Sequence, residues 1–264
     1  MGRCYRVPRR GRLAWALALA CVATPAIAEL APLYVVPTES RRQHALAREQ
    51  SLRLEFEAVD RERLLAALGP AAIPSGPTTV RLDLPHRPER PYSEDRPGRW
   101  LEATFLVDHD QPEVVALRDA LRASRSTGRD IGVAALVDYV GARVEAVHGQ
   151  GWEPASLTAR SLRGDCTEHA VLTAALSRSV GVPARVVVGM VIVPTGTQYA
   201  ALGHAWAELR DGDRWTIADA ALGPLSARAR YVTLGLLEDE STGFLLPLVG
   251  TLTAWVSRVV VLDD

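Results

Sequence analysis

Gly164-Asp165-Cys166-Thr167-Glu168-His169-Ala170 opens an apolar run that continues to Val180. Asp165 is a residue type that caps helix N-termini, and Glu168 stands at the capping-box position three residues on. Gly181 suits the left-handed position past a helix end, and Pro183 keeps the helix closed. The stretch predicts a helix with Cys166 in its first turn. Unpaired amide donors and the positive end of the helix dipole favour a thiolate there.

Downstream, Gly203-His204-Ala205-Trp206-Ala207-Glu208 alternates with the period of a strand. Asp211-Gly212 is a two-residue turn signal, and Arg214-Trp215-Thr216-Ile217-Ala218-Asp219 follows it. A turn on Asp211-Gly212 pairs Arg210 with Asp213. Counted outward, it sets Glu208 against Trp215, Trp206 against Ile217 and His204 against Asp219. Opposed Cβ atoms lie ~5 Å apart, within hydrogen-bonding reach for His and Asp. The stretch thus supplies a thiol, an imidazole and a carboxylate, the parts of a nucleophilic triad.

Gly164-Asp165-Cys166, the helix through Leu176, Gly181-Val182-Pro183-Ala184-Arg185, Gly189, His204-Ala205-Trp206, Trp215 and Asp219 together resemble the transglutaminase-like superfamily of papain-like thiol enzymes. The resemblance covers about 112–235. It implies an α+β fold, with helices packed on an antiparallel sheet, two of them before the cysteine. It also implies a thioester mechanism on amide bonds, with Cys166 as nucleophile, His204 as base and Asp219 as its orienting group. In related enzymes an indole or amide side chain joins the Cys backbone amide in an oxyanion hole. Trp152 is the candidate here, with Gln150 behind it. Hydrolysis would make the protein a protease, amidase or deamidase; attack by a primary amine would make it a transglutaminase. A catalytically silent binding or assembly module is the alternative.

Residues 1–28 read as a signal peptide. Arg3 to Arg12 is a basic head, Leu13 to Ala23 an apolar stretch, and Ala26-Ile27-Ala28 a cleavage site. The apolar stretch is short for a membrane span, so no transmembrane span is expected in the mature chain. Localisation is then periplasmic or secreted, or lipid-anchored if Cys21 is modified. Of three Cys, Cys4 and Cys21 lie in this segment, so cleavage leaves Cys166 alone as a candidate reactive thiol. Charge is balanced at 30 basic and 31 acidic residues, which gives no nucleic-acid footprint. All the basic residues except His are Arg. An exported enzyme suggests protein, peptide or envelope-polymer amides as substrates.

Residues 29–111 read as a smaller β-rich segment, and 112–264 as the transglutaminase-like domain. Strands are expected over Ser51–Val59, Thr79–Leu84 and Trp100–Val107, with a short helix capped by Asp60. Pro85 to Pro97 reads as a long loop. Helices are expected over Pro112–Ala123 and after an Asp130 cap. Ala184–Val193 reads as a strand buried on both faces, and Pro194–Gly203 as a loop beside the site. Tyr231–Leu236 and Ser257–Leu262 read as further strands, and Gly243–Trp255 as apolar and ambiguous. His44, His86 and His109 are expected at the surface, Glu208 solvated, and His169 packed or solvent-facing. No spacing supports a metal site or another cofactor.

Overall fold

The long apolar strand predicted after Gly181 is an interior strand of the larger sheet, and its neighbours position the site. The computed structural model describes residues 35–41, 51–84, 90–91, 98–124, 131–148, 151–196, 198–237 and 255–262. The signal-peptide reading, Cys4, Cys21, His44, His86, Asp130 and Gln150 lie outside them, as do most of the Pro-rich segment and of Gly243–Trp255. Residues 31–264 form one unit.

Strand β9 (Ala184–Thr195) runs antiparallel to β10 (Gln198–Asp211), Leu209 opposite Ala184 and Gln198 opposite Thr195. Gly196 adopts φ +79° where the chain reverses. The expected loop over Pro194–Gly203 is therefore mostly hairpin. Pro194 closes the strand rather than ending it early, which proline can do where its missing N–H is not needed. β11 (Arg214–Ala218) and β12 (Arg230–Leu236) flank this pair, giving the order β12-β9-β10-β11-β6, with β6 at Arg90–Pro91. β1 (Val35–Val36) pairs with Ala201 and Leu202 of β10.

The β10–β11 turn differs from expectation in frame. Asp211 faces Arg214, Arg210 faces Trp215 and Glu208 faces Ile217. The central turn residues are Gly212, at φ +60°, and Asp213, which is not among the described residues with positive φ. That is the glycine-first pattern of a type II′ turn, whereas Asp-Gly would give type I′. One glycine admits both frames, and moving the turn by one residue shifts the register by two. A two-residue shift keeps every side chain on its face. In the observed register the position opposite Asp219 is that of Trp206, with His204 the diagonal neighbour on the same face.

A second, five-stranded sheet has the order β2-β13-β3-β5-β4. β3 (Leu52–Ala58) buries Leu52, Leu54, Phe56 and Ala58, and β5 (Thr79–Leu84) buries Val80, Leu82 and Leu84. Their outer faces carry the ion pairs Arg53–Asp83 and Arg81–Glu55. β4 (Ile73–Pro74) is the far edge. Between β3 and β2 (Thr38–Ser40) lies β13 (Val256–Val261), so this sheet draws strands from both sides of residue 112. Helix α1 (Arg61–Leu68) follows, its Asp60 cap accepting from the Arg63 amide. The expected strand over Trp100–Val107 is absent. Arg99–Leu101 is a 3₁₀ turn, with Trp100 packed edge-on against Trp215.

Helices α2 (Pro112–Ala123) and α3 (Val133–Gly141) pack on α5 (Cys166–Ser179), as does α4 (Ala155–Ser161). Strands β7 (Glu145–Ala146) and β8 (Arg163–Gly164) form a small parallel pair just before it. α5 is buried around almost its whole circumference. It ends in a Schellman motif: Gly181, at φ +85°, donates to the Arg178 carbonyl and Val182 to that of Ser177, both at 3.0 Å. No helix among the described residues is long and apolar enough to cross a membrane.

Gly189 of β9 stands opposite both His204 and Thr233 of β12. A Cβ there would lie 2.0 Å from the Val232 carbonyl oxygen. Backbone cannot yield as a flexible side chain can, so Gly189→Ala is expected to push β12 away. Overpacking of this kind costs typically about 1–3 kcal/mol. A chemical-denaturation midpoint lowered accordingly would confirm the close approach; an unchanged midpoint would contradict it.

Candidate active site

Cys166 occupies the first position of α5 because the segment before it is pinned. The Asp165 carboxylate accepts the Thr167 amide at 2.9 Å, and Glu168 Oε2 accepts the Asp165 amide at 2.9 Å, a reciprocal capping box. Gly164 permits this fold-back, since a Cβ there would lie 2.3 Å from the Glu168 Cβ. At the first helical position the Cys166 amide has no intrahelical acceptor. The thiol is free and partly accessible.

His204 and Asp219 lie behind it and are buried. His204 Nε2 is 2.8 Å from Asp219 Oδ2. Nδ1 is the ring nitrogen left for Cys166, whose side chain lies near enough to act on the imidazole. Burial alone would lower the His204 pKa, but the charge and hydrogen bond of Asp219, joined by those of Cys166, push it up to about 10. Burial would raise Asp219; the His204 charge and hydrogen bond, the Leu222 amide and the Tyr231 hydroxyl hold it below the usual carboxylate range. The two shifts agree in describing an imidazolium–carboxylate pair. His204 stabilises the fold fully below its unfolded pKa near 6.5 and loses that contribution as pH rises through about 10. Asp219 contributes above about pH 4 and loses its share as pH falls through its depressed value.

Sequence reasoning missed the remaining supports of Asp219. Oδ1 accepts from the Ala221 and Leu222 amides at 3.1 and 3.0 Å. Tyr231 donates its hydroxyl to Oδ2 at 2.8 Å. Trp206 lies between, stacked on His204 at 6.1 Å and edge-on to Tyr231 at 5.0 Å. Buried tyrosines need a partner for the hydroxyl, which was the only signal in the sequence, and it names no partner.

Other side chains depart from expectation or join no cluster. Glu208 is buried, held by Arg185 Nε and Nη2 at 3.0 and 2.8 Å from the opposed position on β9. Strand alternation predicts solvation only where one face is wet, and both faces of β10 are covered here. His169 is buried and donates from Nδ1 to the Asp165 carbonyl at 2.7 Å. Burial lowers its pKa, against the opposing pull of the Asp165 carbonyl and the Asp219 charge. Trp152 is half-buried against the hydrophobic core. Among the described residues no group of three or more His, Cys, Asp or Glu is placed to hold a metal ion.

Residues 117–220 match the profile of the transglutaminase-like superfamily. Among solved structures, a candidate cysteine protease from Cytophaga hutchinsonii is similar at 15% identity over 88% of this chain and 83% of that one, with a TM-score of 0.43. The periplasmic domain of TgpA from Pseudomonas aeruginosa is similar at 24% identity over 55% of this chain and 53% of that one, with a TM-score of 0.37. Comparison with curated proteins gave no match.

A proton count identifies one more unusual group. Thr167 Oγ1 lies 2.8 Å from both Asp165 Oδ1 and Glu168 Oε1. A hydroxyl has one proton, so only one of these contacts can be its donation to a carboxylate. The other needs a proton on a carboxyl group. Burial and the neighbouring Asp165 charge push Glu168 up to about 7, so Glu168 is the group that carries it. A raised carboxyl favours folding below its unfolded pKa and loses that advantage as pH rises through about 7. Glu168→Gln keeps one donor for Thr167 and one acceptor for the Asp165 amide. It is expected to raise the melting temperature at pH 8 relative to wild type and flatten its fall between pH 5 and 8. A lower melting temperature at pH 8 would show that Glu168 is needed as an anion.

Proposed function

From a core of the transglutaminase-like superfamily, we propose that this chain is a thiol enzyme acting on amide bonds through a thioester, with Cys166 as nucleophile, His204 as acid–base and Asp219 as the orienting carboxylate. The observation that carries the reading is the buried His204–Asp219 contact, set beside Cys166, the one free cysteine among the described residues, at a helix N-terminus.

The chemistry follows from those atoms. Cys166 Sγ, having given its proton to His204, attacks the amide carbon. The carbonyl π pair moves to oxygen, where the Cys166 amide stabilises it; one such donor is worth roughly 10²–10³ in rate. Trp152 is the candidate second donor. As the intermediate collapses, the carbon–nitrogen bond breaks and the imidazolium proton goes to the leaving amine. Water or a primary amine then gives a proton to His204 and attacks the thioester, which expels the sulfur and restores the pair. Throughout, Asp219 holds Nε2 and stabilises the imidazolium. In keeping with export, the substrate class is protein, peptide or envelope-polymer amides.

Intact-mass analysis after incubation with an activated acyl ester and with glutamine-containing peptides tests the reading. Wild type should acquire an acyl adduct that hydroxylamine discharges. Cys166→Ala should acquire none, and His204→Ala should acylate about 10²-fold or more slowly. Added primary amine partitions the product between hydrolysis and transfer and so identifies the acceptor. Absence of any adduct on folded wild-type protein would sink the enzymatic reading in favour of a binding module.

A further inference from the structure

We infer that Tyr231 is a fourth functional residue of this site, a positioning residue that shares Asp219 Oδ2 with His204 and thereby sets both the carboxylate's orientation and the proton affinity of the imidazole. The inference rests on the triad reading and deepens it.

Tyr231 sits on β12 opposite Val191 of β9, and Val191 lies opposite Leu202 of β10. Tyr231 therefore shares a face with Leu202, His204 and Trp206, and with Asp219 by the β10–β11 register. Two strands, β9 and β10, separate Tyr231 from the end of β11. The 2.8 Å bond to Asp219 requires the sheet to curl, and the close approach of β12 at Gly189 brings the strand inward. A phenol buried to this depth could bond any local carbonyl. It instead reaches the oxygen that receives His204.

Asp219 then has four donors: the imidazole and phenol on Oδ2, and two backbone amides on Oδ1. With every donor aimed at it, the carboxylate can neither rotate nor accept a proton without losing a bond. The phenol also withdraws part of the negative charge that would otherwise act on His204. Its removal concentrates that charge on the imidazolium and makes His204 hold its proton more tightly. A stronger phenolic donor does the reverse. Among the described residues, the titratable groups set against the pair are Cys166 and His169 from α5 and Tyr231 from β12. His169 donates to the Asp165 carbonyl, and β9 presents Gly189 and Val191 on this face.

The experiment is an imidazole titration by heteronuclear NMR on histidine-labelled protein, with His204 assigned from His204→Ala. It is run on wild type, on Tyr231→Phe, and on protein carrying 3-fluorotyrosine at 231. Tyr231→Phe should move the His204 titration up by about one pH unit, tenfold in the protonation equilibrium. Fluorotyrosine, nearly the same size and a stronger donor, should move it down. Both shifts should reappear in the alkaline limb of Cys166 alkylation. Superimposed titrations, or shifts of the opposite sign, overturn the inference, because a merely structural tyrosine would change the melting temperature alone. If Tyr231→Phe does not fold, the fluorotyrosine protein decides. Shifted titrations without any Cys166 acylation would instead refute the enzymatic reading and leave the tyrosine's electrostatic role standing.

Discussion

The site depends on a charge pair taken out of water. His204 and Asp219 have side chains that are 3% and 1% exposed, and they touch at 2.8 Å. Separating such charges from solvent is unfavourable unless each finds good partners, and removing one partner of a buried pair is typically worth about 3–5 kcal/mol of destabilisation. The architecture supplies those partners from three directions. β10 delivers the imidazole, the chain just past β11 delivers the carboxylate and two amides, and β12 delivers the phenol. α5 closes the fourth side with the thiol.

Local sequence signals determine structure here where they concern groups a few residues apart. The Asp165–Glu168 capping box and the Gly181 helix stop appear as expected, because both are set by side chains within one turn of their targets. The His204–Asp219 contact was legible for a related reason. A hairpin constrains pairing so strongly that even a two-residue error in register kept both side chains on one face. What the sequence did not disclose is non-local. Tyr231 meets Asp219 across two strands, and β13 enters a sheet whose other strands lie some two hundred residues earlier in the chain. No periodicity in a single segment encodes either.

Glu208 and Trp100 show the same limit from the side of burial. Alternation along β10 suggested that Glu208 faces water, yet Arg185 binds it from β9 while stacking over Trp215 at 4.2 Å. Trp100, where the sequence predicts the start of a strand, makes an edge-to-face contact with that indole, and Arg99 lies over the Trp100 ring at 4.4 Å. A chain of arginine–tryptophan contacts thus ties the 3₁₀ turn at Arg99–Leu101 to β9, β10 and β11, the strands that frame His204. Removing Glu208 alone would leave the Arg185 guanidinium with much of its buried charge uncompensated.

The central claim is that His204, held cationic by Asp219, keeps Cys166 reactive. Its most direct measurement is the alkylation rate of Cys166 at pH 6, in folded wild type and in His204→Ala. The account predicts a rate about tenfold or more lower in the variant, since the thiolate loses the cation that stabilises it. Equal rates in the two proteins, with both folded, would contradict it.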